Sequence, residues 1–178
     1  MNENMNLVVA GFGGQGILFT GKVAAYAGLI NGKHISWLPS YGPEMRGGTA
    51  NCSICISDRE IGSPLVLNPD AFIAMNQPAL EKFENSVVPG GLILADNSII
   101  NSKVERDDIS VFYVPATKMA DENGLKGLAN IILLGKLLKE TMFCSLEVMD
   151  AAIAKSVPAN RPQMVDFNCK AIRLGMES

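Results

Sequence analysis

Gly11-Phe-Gly-Gly-Gln-Gly16 places four glycines in six residues, between a short apolar run at 7–10 and a long apolar stretch that begins at Ile17. Glycine at that density suits a backbone that turns sharply out of a buried strand and directly into a helix. The backbone N–H groups at the start of such a helix form a natural anion site. Residues 17–30 carry one charge, Lys22, and small residues at Gly21, Ala24, Ala25 and Gly28. That is the pattern of a helix covered on most sides, with close backbone approach at its small positions.

The remaining pattern extends this opening unit. Residues 34–38 and 50–57 read as strands, and Asp58-Arg-Glu60 reads as a polar hairpin turn that sends 61–67 back as an extended arm. Residues 71–75 form another apolar strand, followed by a helix over 78–85. Pro89-Gly-Gly91 then turns the chain into strands at 92–95 and 111–114. Helices follow at 125–141, 146–155 and 161–176, the last opened by Pro162 in its first turn. Neither an internal repeat nor a charged linker divides the chain. The expectation is one α/β domain over 1–178: a mostly parallel sheet with helices on both faces, a β-hairpin insertion and a helical C-terminal third.

A net charge of −3 and a pI near 5.2 supply no basic field for nucleic acid or an anionic membrane surface. Apolar stretches stop well short of the ~20 residues that span a bilayer. Residues 1–6 lack the basic and apolar regions of a secretory signal, which points to the cytoplasm. Charged residues make up 19% of the chain, against ~25% in typical globular proteins. A large core and a surface covered by partner subunits both account for that deficit. Cys52 and Cys55 form a C-x-x-C inside a strand, where residues three apart point to opposite faces, while Cys144 and Cys169 stand alone. Four such cysteines read as reduced structural thiols, with no metal site among them.

Gly11, Gly13 and Gly16 satisfy G-x-G-x-x-G, the glycine half of a dinucleotide fingerprint. The acidic half is missing: the second strand runs into Leu38-Pro39-Ser40, and the next acid, Glu44, lies inside another glycine-rich loop. That second loop, from Pro39 through Ser40, Tyr41, Gly42, Pro43, Glu44, Met45, Arg46, Gly47 and Gly48, is stiffened by two prolines. Arg46 offers a planar fork of donors for carboxylate or phosphate. Following the second strand, the loop falls beside the glycine loop at the carboxyl ends of the strands, where open α/β sheets bind ligands. A rigid surface turn with Arg46 paired to Glu44 accounts for the same residues. His34, the one histidine, reads as a packing residue and Trp37 as a core or interface residue, and no nucleophile–base set of a self-contained hydrolase is present.

Gly11 to Gly16, Tyr41-Gly-Pro-Glu-Met-Arg-Gly-Gly48, Ser63-Pro64, Pro69-Asp70, Met75-Asn76-Gln77-Pro78, Gly90-Gly91, Asn130 and Leu134-Gly135 occur in one order over about residues 5–175. The set resembles the gamma subunit of 2-oxoacid:ferredoxin oxidoreductases. The resemblance implies a Rossmann-like domain within a thiamine-diphosphate enzyme that decarboxylates a 2-oxoacid, makes its coenzyme A thioester and reduces ferredoxin. Thiamine diphosphate, magnesium and iron–sulfur clusters are then held by alpha, beta and delta subunits. The gamma chain binds none of these and is inactive alone. It further implies that Gly11, Gly13, Gly14, Gln15 and Gly16, with Ser40, Tyr41, Gly42, Glu44, Met45, Arg46, Gly47 and Gly48, shape a subunit interface or hold coenzyme A. Met75-Asn-Gln-Pro-Ala-Leu-Glu-Lys-Phe83 looks most like the 2-oxoglutarate branch. A free-standing NAD(P)-binding oxidoreductase and a non-catalytic adaptor are the rival readings.

Overall fold

The computed structural model describes residues 4–40 and 49–178. Its strands are β1 (Met5–Phe12), β2 (His34–Ser40), β3 (Thr49–Ser57), β4 (Ala71–Ala74), β5 (Leu92–Asp96) and β6 (Ser110–Val114). The helices are α1 (Ile17–Ile30), α2 (Gln77–Phe83), α3 (Ala116–Glu122), α4 (Ala129–Thr141), α5 (Leu146–Ser156) and α6 (Met164–Met176). One sheet runs β2-β3-β1-β4-β5-β6. Strands β1, β4, β5 and β6 are mutually parallel, while β3 lies antiparallel between β1 and β2.

Period-2 alternation sends the side chains of β1, β4, β5 and β6 to two different cores. Leu7, Val9, Cys52, Ile54 and Ile73 face a large core shared with α1, α4, α5 and α6. Val8, Ala10, Phe72 and Ala74 face a smaller one under α2. Asn76 caps α2, its Oδ1 accepting the Ala79 N–H at 2.8 Å, and Ser145 caps α5 through Val148 at 3.3 Å.

The hairpin expectation holds in kind but not in place. Its arms are β2 and β3, paired from His34↔Ser57 to Ser40↔Asn51. Residues 61–67 form no strand. Pro64 removes a donor, and the segment is held by side chains instead: Ser53 Oγ accepts the Val66 N–H at 3.4 Å, and the Cys55 thiol points to the Ser63 carbonyl at 3.8 Å. His34 opens the edge strand β2 and is exposed. Helix α3, absent from the sequence reading, is held by a partner remote in sequence: Asp96 accepts the Thr117 N–H at 3.1 Å and its hydroxyl at 2.5 Å. Helix α4 starts at 129, not 125, because Gly127 adopts φ 85° just before it. Helix α6 starts at 164, after turn bonds from Met164 to Arg161 and from Val165 to Pro162.

Helix α4 is buried from Ala129 to Leu138 and lies inside the domain, so its apolar length needs no partner chain. Even Lys136 is enclosed, paired with Glu140 at 2.9 Å and lying 5.0 Å from the centre of the Phe112 ring. Two glycines let α4 and α6 cross closely. A Cβ on Gly135 would strike the Ile172 carbonyl, and one on Gly175 would strike the Ile132 carbonyl. Both obstacles are helix backbone and cannot swing aside.

All four cysteines are free. Cys52 faces α1, its thiol 3.5 Å from the Ile17 carbonyl, while Cys55 faces the 61–67 segment, so the two diverge as expected. Burial pushes the thiols of Cys52 and Cys144 up to about 12, and that of Cys169 to about 11.

Gly175→Ala should therefore force α4 and α6 apart, at about 1–3 kcal/mol. A thermal melt should show a fall of roughly 2–12 °C; an unchanged midpoint would mean the crossing is not tight. Iodoacetamide at pH 8 should alkylate Cys52 and Cys144 more slowly by about two orders of magnitude or more in the native chain than in guanidinium, since only the thiolate reacts. Equal rates would contradict their burial.

Candidate functional site

Helix α1 leaves β1 toward the large core, whereas α2 leaves the adjacent β4 toward the small one. The carboxyl ends of β1 and β4 therefore form the topological switch point of the sheet, the usual ligand crevice of open α/β folds. The glycine loop stands there. Gly11 is buried, and a Cβ on it would lie 2.6 Å from both Met75 Cβ and Gln15 Oε1 and 2.8 Å from Ile17 Cδ1. Gly14 and Gly16 take φ of 94° and 74°, the left-handed region that favours glycine.

Gln15 is spent on the loop itself. Its Oε1 accepts the Phe12 N–H at 2.6 Å, and its Nε2 donates to the Met75 carbonyl at 2.9 Å, bracing the loop to the end of β4. From the other side Asn130, at the head of α4, donates to the Gly16 carbonyl at 3.1 Å and to Thr20 Oγ1 at 3.0 Å. A Cβ on Gly16 would strike Asn130. The first turn of α1 has no side-chain cap and no acidic residue. Gly13 and Gly14 are exposed at the rim. Beside them lies a notch of about 290 Å³ walled by Phe12, Ile17, Leu18, Phe19 and Ala50.

Ser40 ends β2 opposite Asn51, which in turn faces Ala10 of β1, so the second loop leaves and re-enters the sheet at this same edge. Tyr41, Gly42, Glu44, Met45, Arg46, Gly47 and Gly48 lie outside the described residues. Strand order weakens the dinucleotide alternative. β3 separates β1 from β2, so the end of β2 stands two strand spacings, ~10 Å, from the glycine loop. A dinucleotide fold needs its ribose-binding acid one spacing away, and the residue here is Ser40.

Sequence reasoning passed over Asp96. It closes β5 at the same edge, is fully buried, and accepts N–H groups from Ser98 and Thr117, each at 3.1 Å. A carboxylate ending an apolar run at 92–95 was the available signal. The described donors do not fit a resident metal or cluster. No three His, Cys, Asp or Glu side chains gather among the described residues, and the thiols are held protonated on separate surfaces. No described helix is long and apolar enough to cross a membrane.

Comparison with known proteins gives one family. Residues 6–178 match the family model described as pyruvate ferredoxin/flavodoxin oxidoreductase. The chain is 36% identical over 169 residues to ketoisovalerate oxidoreductase subunit VorA of Methanothermobacter thermautotrophicus, covering 95% of this chain and 35% of that one. It thus spans about a third of the length of that relative. It is 37% identical to 2-oxoglutarate synthase subunit KorC of Methanocaldococcus jannaschii, covering 84% of this chain and 82% of that subunit. The crystal structure of the keto/oxoacid ferredoxin oxidoreductase gamma subunit from Geobacter sulfurreducens superposes with a TM-score of 0.81 at 29% identity, covering 97% of this chain and 96% of that one. The chain belongs to the pyruvate ferredoxin/flavodoxin oxidoreductase family and has the architecture of its gamma subunits.

Proposed function

We propose that the chain works as the gamma subunit of a multi-subunit, thiamine-diphosphate-dependent 2-oxoacid:ferredoxin oxidoreductase, contributing binding surface rather than a cofactor. The observation that carries this is the glycine loop. Its polar side chain is consumed in bracing the loop, and β2, where a dinucleotide site keeps its ribose-binding acid, ends on Ser40 two strands away. A loop locked from within and apolar at its rim suits contact with other chains. Alpha, beta and delta subunits hold thiamine diphosphate, magnesium and iron–sulfur clusters, ferredoxin takes the electrons, and the assembly works in the cytoplasm.

2-Oxoglutarate is the proposed substrate. Support comes from the 37% identity to a 2-oxoglutarate synthase subunit of which the chain covers 82%, and from the 75–83 segment. Relatives named for ketoisovalerate and pyruvate keep those acids as the competitors to test. Within this reading Arg46, in the sequence segment that joins β2 to β3, holds a phosphate of coenzyme A as a charge-assisted pair.

Tagged in its native host and purified without oxygen, the chain should bring thiamine-binding and iron–sulfur subunits with it. The eluate should reduce a viologen dye with coenzyme A and 2-oxoglutarate about tenfold faster than with pyruvate or 2-ketoisovalerate. A chain that elutes alone and binds NAD(P) would overturn the proposal. In the assembled enzyme Arg46→Ala should raise KM for coenzyme A about 10–100-fold, the loss of one charged hydrogen bond, with KM for the 2-oxoacid unchanged. Unchanged coenzyme A affinity by calorimetry would remove Arg46 from the site.

A further inference from the structure

We propose that Asn130 is a positioning residue for the glycine loop: from α4 it fixes the Gly16–Ile17 peptide, so that the head of α1 presents its free N–H groups to an acceptor oxygen of coenzyme A. This rests on the gamma-subunit reading and assigns one residue within it. Three donors converge on the Gly16 carbonyl: the Thr20 N–H at 3.0 Å, the Thr20 hydroxyl at 3.2 Å and the Asn130 amide at 3.1 Å. The Asn130 amide also donates to Thr20 Oγ1 at 3.0 Å, which closes a triangle. A carbonyl oxygen has two lone pairs, so Thr20 alone satisfies it. Asn130 is therefore surplus to hydrogen-bond satisfaction. It is 2% exposed, and its own Oδ1 is buried with no partner. A Cβ on Gly16 would lie 3.5 Å from that oxygen, so it faces the loop. An unpaired buried acceptor lowers stability, and a leucine of similar shape would carry none. What the amide supplies is direction.

In a trans peptide the C=O and the following N–H point opposite ways. With the Gly16 carbonyl drawn inward toward α4 and Thr20, the Ile17 N–H points out of the head of α1. Gly16 caps α1 with a left-handed backbone, φ 74°, and has no side chain with which to hold that angle itself. The angle is set from another helix, 114 residues away. Thr20 carries the first α1 N–H that reaches a helix carbonyl. Those of Ile17, Leu18 and Phe19 have no partner among the described residues, and no acid stands in the first turn. The same three residues line the notch beside the loop, with Gly13, Gly14 and Gly16. A ligand oxygen entering at the carboxyl edge of the sheet thus meets donors whose direction is already fixed.

The test uses the tagged chain assembled in its native host, with Asn130→Leu, Thr20→Val and Thr20→Ser. Asn130→Leu should raise KM for coenzyme A about 3–10-fold, the range of one neutral hydrogen bond, with kcat and KM for the 2-oxoacid changed less than about twofold. Its temperature of half-inactivation should equal or exceed the parent's, because the substitution orphans no new group. Thr20→Val, which removes one corner of the triangle, should move KM for coenzyme A the same way. Thr20→Ser keeps the hydroxyl and should restore the parent value. An unchanged KM for coenzyme A in assembled Asn130→Leu would overturn the proposal, as would an equal rise in KM for the 2-oxoacid. If Asn130→Leu does not assemble, the Thr20 pair decides, and equal KM values for valine and serine would overturn the proposal. A parent complex without coenzyme-A-dependent activity would instead overturn the gamma-subunit reading itself.

Discussion

Where β1 and β4 end side by side, the backbone of Gly11 lies so close to Met75 and Ile17 that no side chain fits between them. Around that contact the Gln15 amide joins the Phe12 N–H to the Met75 carbonyl. Much of the molecule depends on the closeness this permits. It lets α1 start directly off β1 and turn to the large core, while α2 starts off β4 and turns to the small one. Asn130 then ties the same loop to α4, the helix at the centre of the large core. The sheet, both helical layers and the site share one junction, so a change at Gly11 would disturb packing and site geometry together.

Strand β3 decides what that junction can do. Inserted antiparallel between β1 and β2, it keeps the two strand ends on one edge but spreads them by an extra strand. The glycine loop and the end of β2 then stand farther apart than the two halves of a dinucleotide ribose site. The strand also gives Cys52 and Cys55 their opposite faces, which prevents the C-x-x-C from acting as a chelate.

The α/β class, the opening strand–loop–helix unit and most element positions were legible because they rest on local patterns: apolar period, glycine density, a proline in a first turn. Parts that depend on remote partners were not. Helix α3 owes its first turn to Asp96, twenty-one residues earlier than Thr117, and no local window contains that bond. Asp58-Arg-Glu60 has turn chemistry and so suggests a hairpin between 50–57 and 61–67; the true pairing joins β2 to β3, whose connection at 41–48 reads from sequence equally as a functional loop or a rigid surface turn. Within the site, Gly11, Gly13 and Gly16 are legible as a motif, but the inward role of Gln15 is not. Its chemistry fits a ligand contact equally well until the Met75 carbonyl is seen beside it.

Part of the low charge content is internal: α4 is sealed along ten residues and even encloses Lys136, and both faces of β1, β4 and β5 are covered. That accounts for apolar residues at 129–138 without any partner. It does not account for Phe12, exposed beside the glycine loop at the carboxyl end of β1. A single exposed aromatic is ordinary on a protein surface. One that stands at the mouth of an apolar notch, on a loop fixed from within at the switch point of the sheet, belongs to the site rather than to the core.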